Sequence, residues 1–200
     1  IVMADGPWRD ADIVFRATGE PGAPITLRPS TPGGATLSGQ SRLRIAGEHL
    51  IVSGLNFRDG RAKDHVIALR ADSKSPASHC RVTDCAIVDY DGPAQEAGRG
   101  SSHWLSLYGT SNRVDHCAFS GKRDGGTTLV VWVGDAPNGH RIDRNLFGPR
   151  PPLGRNGGET IRVGTSDVSL CESGTVVEEN YFGHCDGEVE IISNKSCGNT

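Results

Sequence analysis

From Leu43 onward the chain repeats a short hydrophobic pattern. An aliphatic residue is followed three positions later by a small residue, cysteine or asparagine, and five positions later by a bulky apolar one. The instances are Val52/Leu55/Phe57, Val82/Cys85/Ile87, Val114/Cys117/Phe119, Ile142/Asn145/Phe147 and Val177/Asn180/Phe182, spaced 30, 32, 28 and 35 residues apart. Between them lie segments with the two-residue alternation of strands: Val66–Leu69, Trp104–Leu107, Val130–Val133, Thr160–Val163 and Glu188–Ile191. A period near 30, made of short strands with no 3.6-residue stripe, is the signature of a solenoid. The leucine and asparagine frame of leucine-rich repeats is absent, and the glycine and β-branched content excludes helical arrays. Propeller blades run longer and carry turn signatures not found here. The pattern predicts an all-β fold, a right-handed parallel β-helix with two or three short strands per rung. Residues 1–40 read as turn-rich, with short strand candidates at Ile25–Arg28 and Ala35–Ser38.

Stacking the repeats puts Phe57, Ile87, Phe119, Phe147 and Phe182 in one inward ladder and Leu55, Cys85, Cys117, Asn145 and Asn180 in another. Cys85 and Cys117 become neighbours on adjacent rungs, as buried thiols or, alternatively, as a disulfide between rungs. Aligning the alternating segments points Ile67, Leu105, Val131, Ile161 and Val189 inward. One outward column becomes Ala68, Ser106, Trp132, Arg162 and Glu190, and its neighbour Val66, Trp104, Val130, Thr160 and Glu188. Aromatic, cation and carboxylate along one open face suit an acidic sugar chain lying across the rungs. The alternative for Trp104 and Trp132 is cover by the loops 91–102 and 120–126. Arg162 reads as a substrate contact or as the partner of Glu190 in an ion pair.

Glycine supplies 27 of 200 residues and proline 11, in keeping with many turns. Net charge is −3 and pI ≈ 6.2, so there is no polycation for nucleic acid and no basic stripe for a membrane. No apolar run reaches bilayer-spanning length. Two hundred residues make a single domain. The chain opens at Ile1 as if a strand were entered midway, and is expected to be the central part of a longer module, truncated at both ends. The six cysteines form no CxxC pair, which argues against a zinc ribbon.

Chemistry concentrates near the C-terminal end, in Asn156-Gly157-Gly158-Glu159-Thr160-Ile161-Arg162 and in Cys185-Asp186-Gly187-Glu188 through Ser196. If 188–191 is a strand, Glu188 and Glu190 share one exposed face, and such close carboxylates call for a cation or proton between them. The alternative is a solvated strand face beside a surface lysine. Asp186-Gly187 reads as a tight turn, and His116 and His184 as surface or supporting residues.

These two motifs, with the Gly54-Leu55-Asn56-Phe57 segment and the rung pattern, resemble polysaccharide lyase family 6, the alginate lyases and chondroitinase B. The resemblance implies a right-handed parallel β-helix that cleaves uronic-acid polysaccharides by Ca²⁺-assisted β-elimination, with a secreted or periplasmic location. Position by position it makes Asn156, Glu188 and Glu190 calcium ligands and Lys195 the Brønsted base. It also implies an arginine one rung beyond the lysine. No residue before Thr200 takes that role by motif, and Arg162 lies on the wrong rung, so the piece alone is expected to be a poor catalyst. Alginate is the expected substrate. Chondroitin or dermatan sulfate, a non-catalytic acidic-glycan-binding β-helix, and another β-helix lyase such as a pectate lyase are the alternatives.

Overall fold

In the computed structural model, which describes residues 1–91 and 101–200, the strands form three sheets and every strand pairing is parallel. The chain visits the three sheets in turn, with one strand in each per rung and one added short strand, Ala77–Ser78, beside Gly47–Glu48. The rung that starts at Leu50–Ser53 continues through Asn56–Gly60 and His65–Ala68, and four more rungs follow the same order. The architecture is a parallel β-helix, as the repeat predicts. No helix among the described residues is long and apolar enough to cross a membrane.

Both inward ladders are in place. Phe57, Ile87, Phe119, Phe147 and Phe182 are aligned by pairing, and Phe119, Phe147 and Phe182 stack at 5.1 and 5.0 Å. The aliphatic starts Val52, Val82, Val114, Ile142 and Val177 are likewise in register. Cys85 and Cys117 are buried free thiols. Asn145 and Asn180 satisfy the corners. The Asn145 side chain accepts from Cys117 N–H at 2.9 Å and donates to the Val114 carbonyl at 2.9 Å, and Asn180 accepts from Asn145 N–H at 3.0 Å. Between each aliphatic start and its corner residue the backbone turns left-handed, at Gly54, Asp84, His116, Arg144 and Glu179. Only the first of these is glycine, so packing of the rung holds the other four in a conformation that costs an L-residue roughly 1–2 kcal/mol.

Residues 1–40 carry more structure than their turn content predicts. Val2–Met3, Gly6–Arg9, Asp12–Thr18, Ile25–Pro29 and Ala35–Gly39 are all rung strands, with Trp8 and Leu37 extending the Phe57 ladder. Their loops are too irregular for the spacing to register as a repeat.

A second corner column gives the fold a pH dependence. Cys80 N–H donates to the Asn112 side chain, Asn112 N–H to His140 Nδ1, and Thr175 N–H to the Asn199 side chain. His140 does by imidazole what asparagine does on the neighbouring rungs. Burial pushes its pKa down to about 4, and burial pushes His103 down to about 3. Both imidazoles are neutral in the fold, so the unfolded chain takes up protons first. Their stabilisation is complete above about pH 6.5 and is lost as pH falls toward 4 and 3 respectively. Lowering pH from 7 to 5 is expected to cost about 2 kcal/mol through His140. Melting curves of wild type and His140→Asn across that range check this, with a smaller acid loss in the variant, which keeps the acceptor and removes the proton site.

Candidate active site

The sheet that carries the site runs through His65–Ala68, His103–Leu107, Leu129–Val131, Ile161–Gly164 and Ile192–Lys195. Its last pairing sets Ile161 against Ile192, Arg162 against Ser193 and Gly164 against Lys195. This corrects the sequence reading. Glu188–Ile191 is not a strand, and Val189, expected to face inward, is 99% exposed. The alternation there is real, but the sheet's hydrogen bonds are taken three residues later, and 183–191 form a loop that reaches outward before the strand begins. The column in register is Ile67, Leu105, Leu129, Ile161 and Ile192, its first four members buried and Ile192 exposed at the last rung, and Val130, not Trp132, stands beside Arg162.

Two loops build the candidate site. One joins Phe147 to Ile161, the other Phe182 to Ile192, and they lie side by side. Arg150 N–H donates to the His184 carbonyl and Asp186 N–H to the Arg150 carbonyl, both at 2.8 Å, and Leu153 N–H reaches the Gly187 carbonyl at 3.1 Å. The contact requires glycine on both sides. A Cβ on Gly158 would meet the Gly187 oxygen at 2.4 Å, and one on Gly187 would meet the Gly158 oxygen at 2.5 Å. Gly187 is therefore fixed by close approach, a tighter demand than the turn expected of Asp186-Gly187.

The Asn156-Gly157-Gly158 turn presents successive amides to Glu188. Oε2 of Glu188 accepts from Gly157 N–H and Gly158 N–H, each at 2.9 Å. Asn156, Glu188 and Asp186 thereby line one hollow of ≈ 470 Å³ with Arg155 and Val189. Glu190 is exposed on the same loop, outside that lining. Among the described residues no three His, Cys, Asp or Glu side chains cluster as a metal centre. The donors the hollow does offer are carboxylate and amide oxygens, the type that a hard dication such as Ca²⁺ takes, and one of them is already oriented by backbone amides.

Lys195 ends its strand with a third of its side chain exposed. Its Nζ lies 3.6 Å from Oε1 of Glu159, which is itself 1% exposed. Glu159 follows directly on the Asn-Gly-Gly turn, so one segment both orients Glu188 and tethers Lys195. Oε2 of Glu159 is buried with no hydrogen-bond partner. Arg162 projects from the adjacent rung, its guanidinium 5.5 Å from the centroid of the Trp132 ring. It makes no ion pair with Glu190. Trp132 is half-buried and stacks on Tyr108 at 5.8 Å. Trp104, by contrast, is fully buried and donates to Asp91 at 2.9 Å. Of the loops expected to cover these rings, 92–100 lies outside the described residues.

Comparison with known proteins decides the lineage of this arrangement. The family model described as chondroitinase B matches residues 1–200. The chain belongs to the chondroitinase B family. Among solved structures, the polysaccharide lyase family 6 (PL6) alginate lyase AlyGC is 51% identical over 99% of this chain and 27% of its own, with a TM-score of 0.95. A mannuronic-acid-specific family 6 lyase from human gut microbiota is 43% identical over 100% of this chain and 46% of its own, at 0.94. A PL6 alginate lyase in complex with a trisaccharide, 23% identical over 100% of this chain and 42% of its own at 0.86, shares the fold. The chain thus spans between about a quarter and a half of these structures. The search of curated proteins returned no match.

Beneath the site, this chondroitinase B family member holds a buried charged platform that sequence reasoning missed. Arg150, 1% exposed, donates to the carbonyls of Gly126 at 2.6 Å, Glu159 at 2.9 Å and Asp124 at 3.0 Å. Lys122 pairs with Asp124 and lies 3.8 Å from Asp91, while Ser102 donates to Asp124 at 2.8 Å. Burial lowers the pKa of Lys122 and of Arg150 and raises that of Asp124. In the sequence these residues look like ordinary loop charges. Glu159 alone had a signal, as the last member of the Asn-Gly-Gly-Glu run.

Proposed function

We propose that the protein of which this chain is part is a polysaccharide lyase that cleaves a uronic-acid polysaccharide, alginate first, by Ca²⁺-assisted β-elimination. Lys195 is the base that removes the C5 proton of the uronate. Asn156, Glu188 and Glu190 would hold Ca²⁺, and Arg162 and Trp132 contact the sugar chain. The observation that carries the reading is the single segment 156–159, which orients Glu188 through two amides and tethers Lys195 through Glu159.

The chemistry asks for such a site. The C5 proton is a very weak acid, and its removal puts charge on a carboxylate that is already an anion. Calcium bound there would offset that charge as it grows. The chain's own groups do the rest. Lys195, fixed by its strand and by Glu159, holds an amine at the sugar face and takes the proton. An ordinary lysine is protonated at neutral pH, so the role requires a cationic neighbour that favours the neutral amine. Arg162, on the adjacent rung, pairs with a uronate carboxylate. Trp132 offers an apolar edge to the ring.

Alginate is favoured over chondroitin or dermatan sulfate because two of the matches quoted above are described as an alginate lyase and a mannuronic-acid-specific lyase. A polymer that does not cross membranes places the enzyme in the periplasm or outside the cell. The test is the ultraviolet absorbance of the unsaturated product when full-length protein meets alginate. Activity that chelator removes and calcium restores is expected. Activity indifferent to chelator removes the metal from the mechanism, and binding without product leaves only a glycan-binding module.

A further inference from the structure

Lys195 belongs to a column that the sequence alignment hid. Ala68, Ser106, Val130, Arg162 and Ser193 are in register across five strands. Two residues further along each strand stand Arg70, Tyr108, Trp132, Gly164 and Lys195, and Gly164 pairs with Lys195 directly. The ladder continues past the strands, since Leu69 N–H donates to the Ser106 carbonyl at 2.9 Å and Trp132 N–H to the Leu107 carbonyl at 3.0 Å. At the fourth position a glycine stands where a side chain would otherwise project, and Arg162 leans back over Trp132.

The side chains form a continuous stack. The Arg70 guanidinium lies 3.7 Å from the Tyr108 ring centroid. Tyr108 and Trp132 are parallel to within 7°, and Arg162 caps the far side of Trp132. Neither guanidinium has an ion-pair partner among the described residues. By contrast Arg16, Arg42, Arg44, Arg81, Arg113, Arg141 and Arg144 are all paired with carboxylates. Nε of Arg162 is buried without a hydrogen-bond partner. Hollows of ≈ 520 and ≈ 550 Å³ open on the two sides of the Arg70–Tyr108–Trp132 stack. Asp72 and Asp135 line the first and Asp64 the second, and Asp72 is engaged by Arg16 at 3.1 Å.

A guanidinium laid on an aromatic face is fixed in orientation, weakly hydrated and still able to grip a carboxylate with two N–H groups. Arg70 stands four rungs from Lys195, roughly 19 Å at about 4.8 Å per strand. Short uronate oligomers seated at Lys195 do not bridge that span, whereas a long chain lying along the column does. We propose that Arg70, held by Tyr108, is a distal binding site for a uronate carboxylate of an acidic polysaccharide, and that it gives the protein a preference for long chains over short ones. The position of the cleaved bond in this picture rests on the lyase reading; the binding itself does not.

The test uses Arg70→Ala and Arg70→Gln in the full-length protein, with near-ultraviolet circular dichroism to establish the native fold. On polymeric alginate kcat/KM is expected to fall about tenfold, and on a uronate trisaccharide to stay within about twofold of wild type. Equal losses on both substrates, or none on either, would overturn the proposal. Arg70→Lys keeps the charge without the planar fork and is expected to fall between. Calorimetric binding of polymeric alginate, with a neutral glucan as control, needs no turnover. Weaker binding in Arg70→Ala is expected, and unchanged binding overturns the site. Wild type that binds alginate through Arg70 but cleaves nothing would defeat the lyase reading and leave the distal site standing.

Discussion

Replacing Lys195 by alanine is expected to lower the turnover of alginate by about 10²–10⁴-fold, the usual contribution of a positioned proton acceptor. Among the described residues no other amine stands in the same column of the sheet, and Glu159, 3.6 Å from the lysine, is buried. Loss of the amine should leave KM nearly unchanged, because the carboxylate contacts assigned to Arg162 and the calcium ligands do not pass through it. The fold should also survive, since the Lys195 side chain is partly exposed and ends a strand whose pairing with Ile161–Gly164 is made by backbone. Steady-state kinetics with calcium titration by calorimetry separates the cases. A slow variant that binds calcium like wild type supports the assignment, and a variant as fast as wild type removes it.

The second large effect concerns stability. Arg150→Met is expected to destabilise the fold by about 3–5 kcal/mol, the cost of breaking a buried charged network by removing one partner. Methionine fills much of the volume but donates nothing. The carbonyls of Asp124, Gly126 and Glu159 would lose their guanidinium donor in a place water does not reach, and Asp124 and Asp91 would keep only Lys122 as a buried cation. Because the Glu159 carbonyl is one of the three, loosening of the 156–159 segment should accompany the lost stability. A thermal midpoint lowered by roughly 10 °C is expected, with activity reduced even well below the transition. A midpoint within a degree or two of wild type would mean that the platform tolerates the loss and does not support the site.

How far the sequence discloses the structure depends on which force places each residue. The inward ladders from Val52 to Phe182 are legible because burial selects the same side-chain type on every rung, and the five members of the Val52 and Phe57 columns are in register. The first rungs are not, although Trp8 and Leu37 occupy the same ladder, because the spacing between their strands follows loops of unequal length. Glu188–Ile191 is misread because alternation is a necessary mark of a half-buried strand and not a sufficient one. What decides is which backbone groups find ladder partners, and those belong to Ile192–Lys195. A separate shift of two residues, in the strand that follows the connection 121–128, puts Val130 in Arg162's row and Trp132 in the row of Lys195. The platform of Arg150, Lys122 and Asp124 leaves no trace in composition, since a charge buried with its partners is spelled like a charge in water. The motif residues Asn156 and Glu188 are brought to one hollow; Glu190 stays on the same loop, exposed beside it.

The central claim is that this sheet face breaks a uronate chain by withdrawing a proton at Lys195 rather than by adding water. Mass measurement of the products of a defined alginate oligomer, treated with the full-length protein and calcium, addresses it directly. The two fragments are predicted to sum to the mass of the parent, one of them carrying a new double bond at its non-reducing end. Fragments that together exceed the parent by one water would be the products of hydrolysis and would contradict the account.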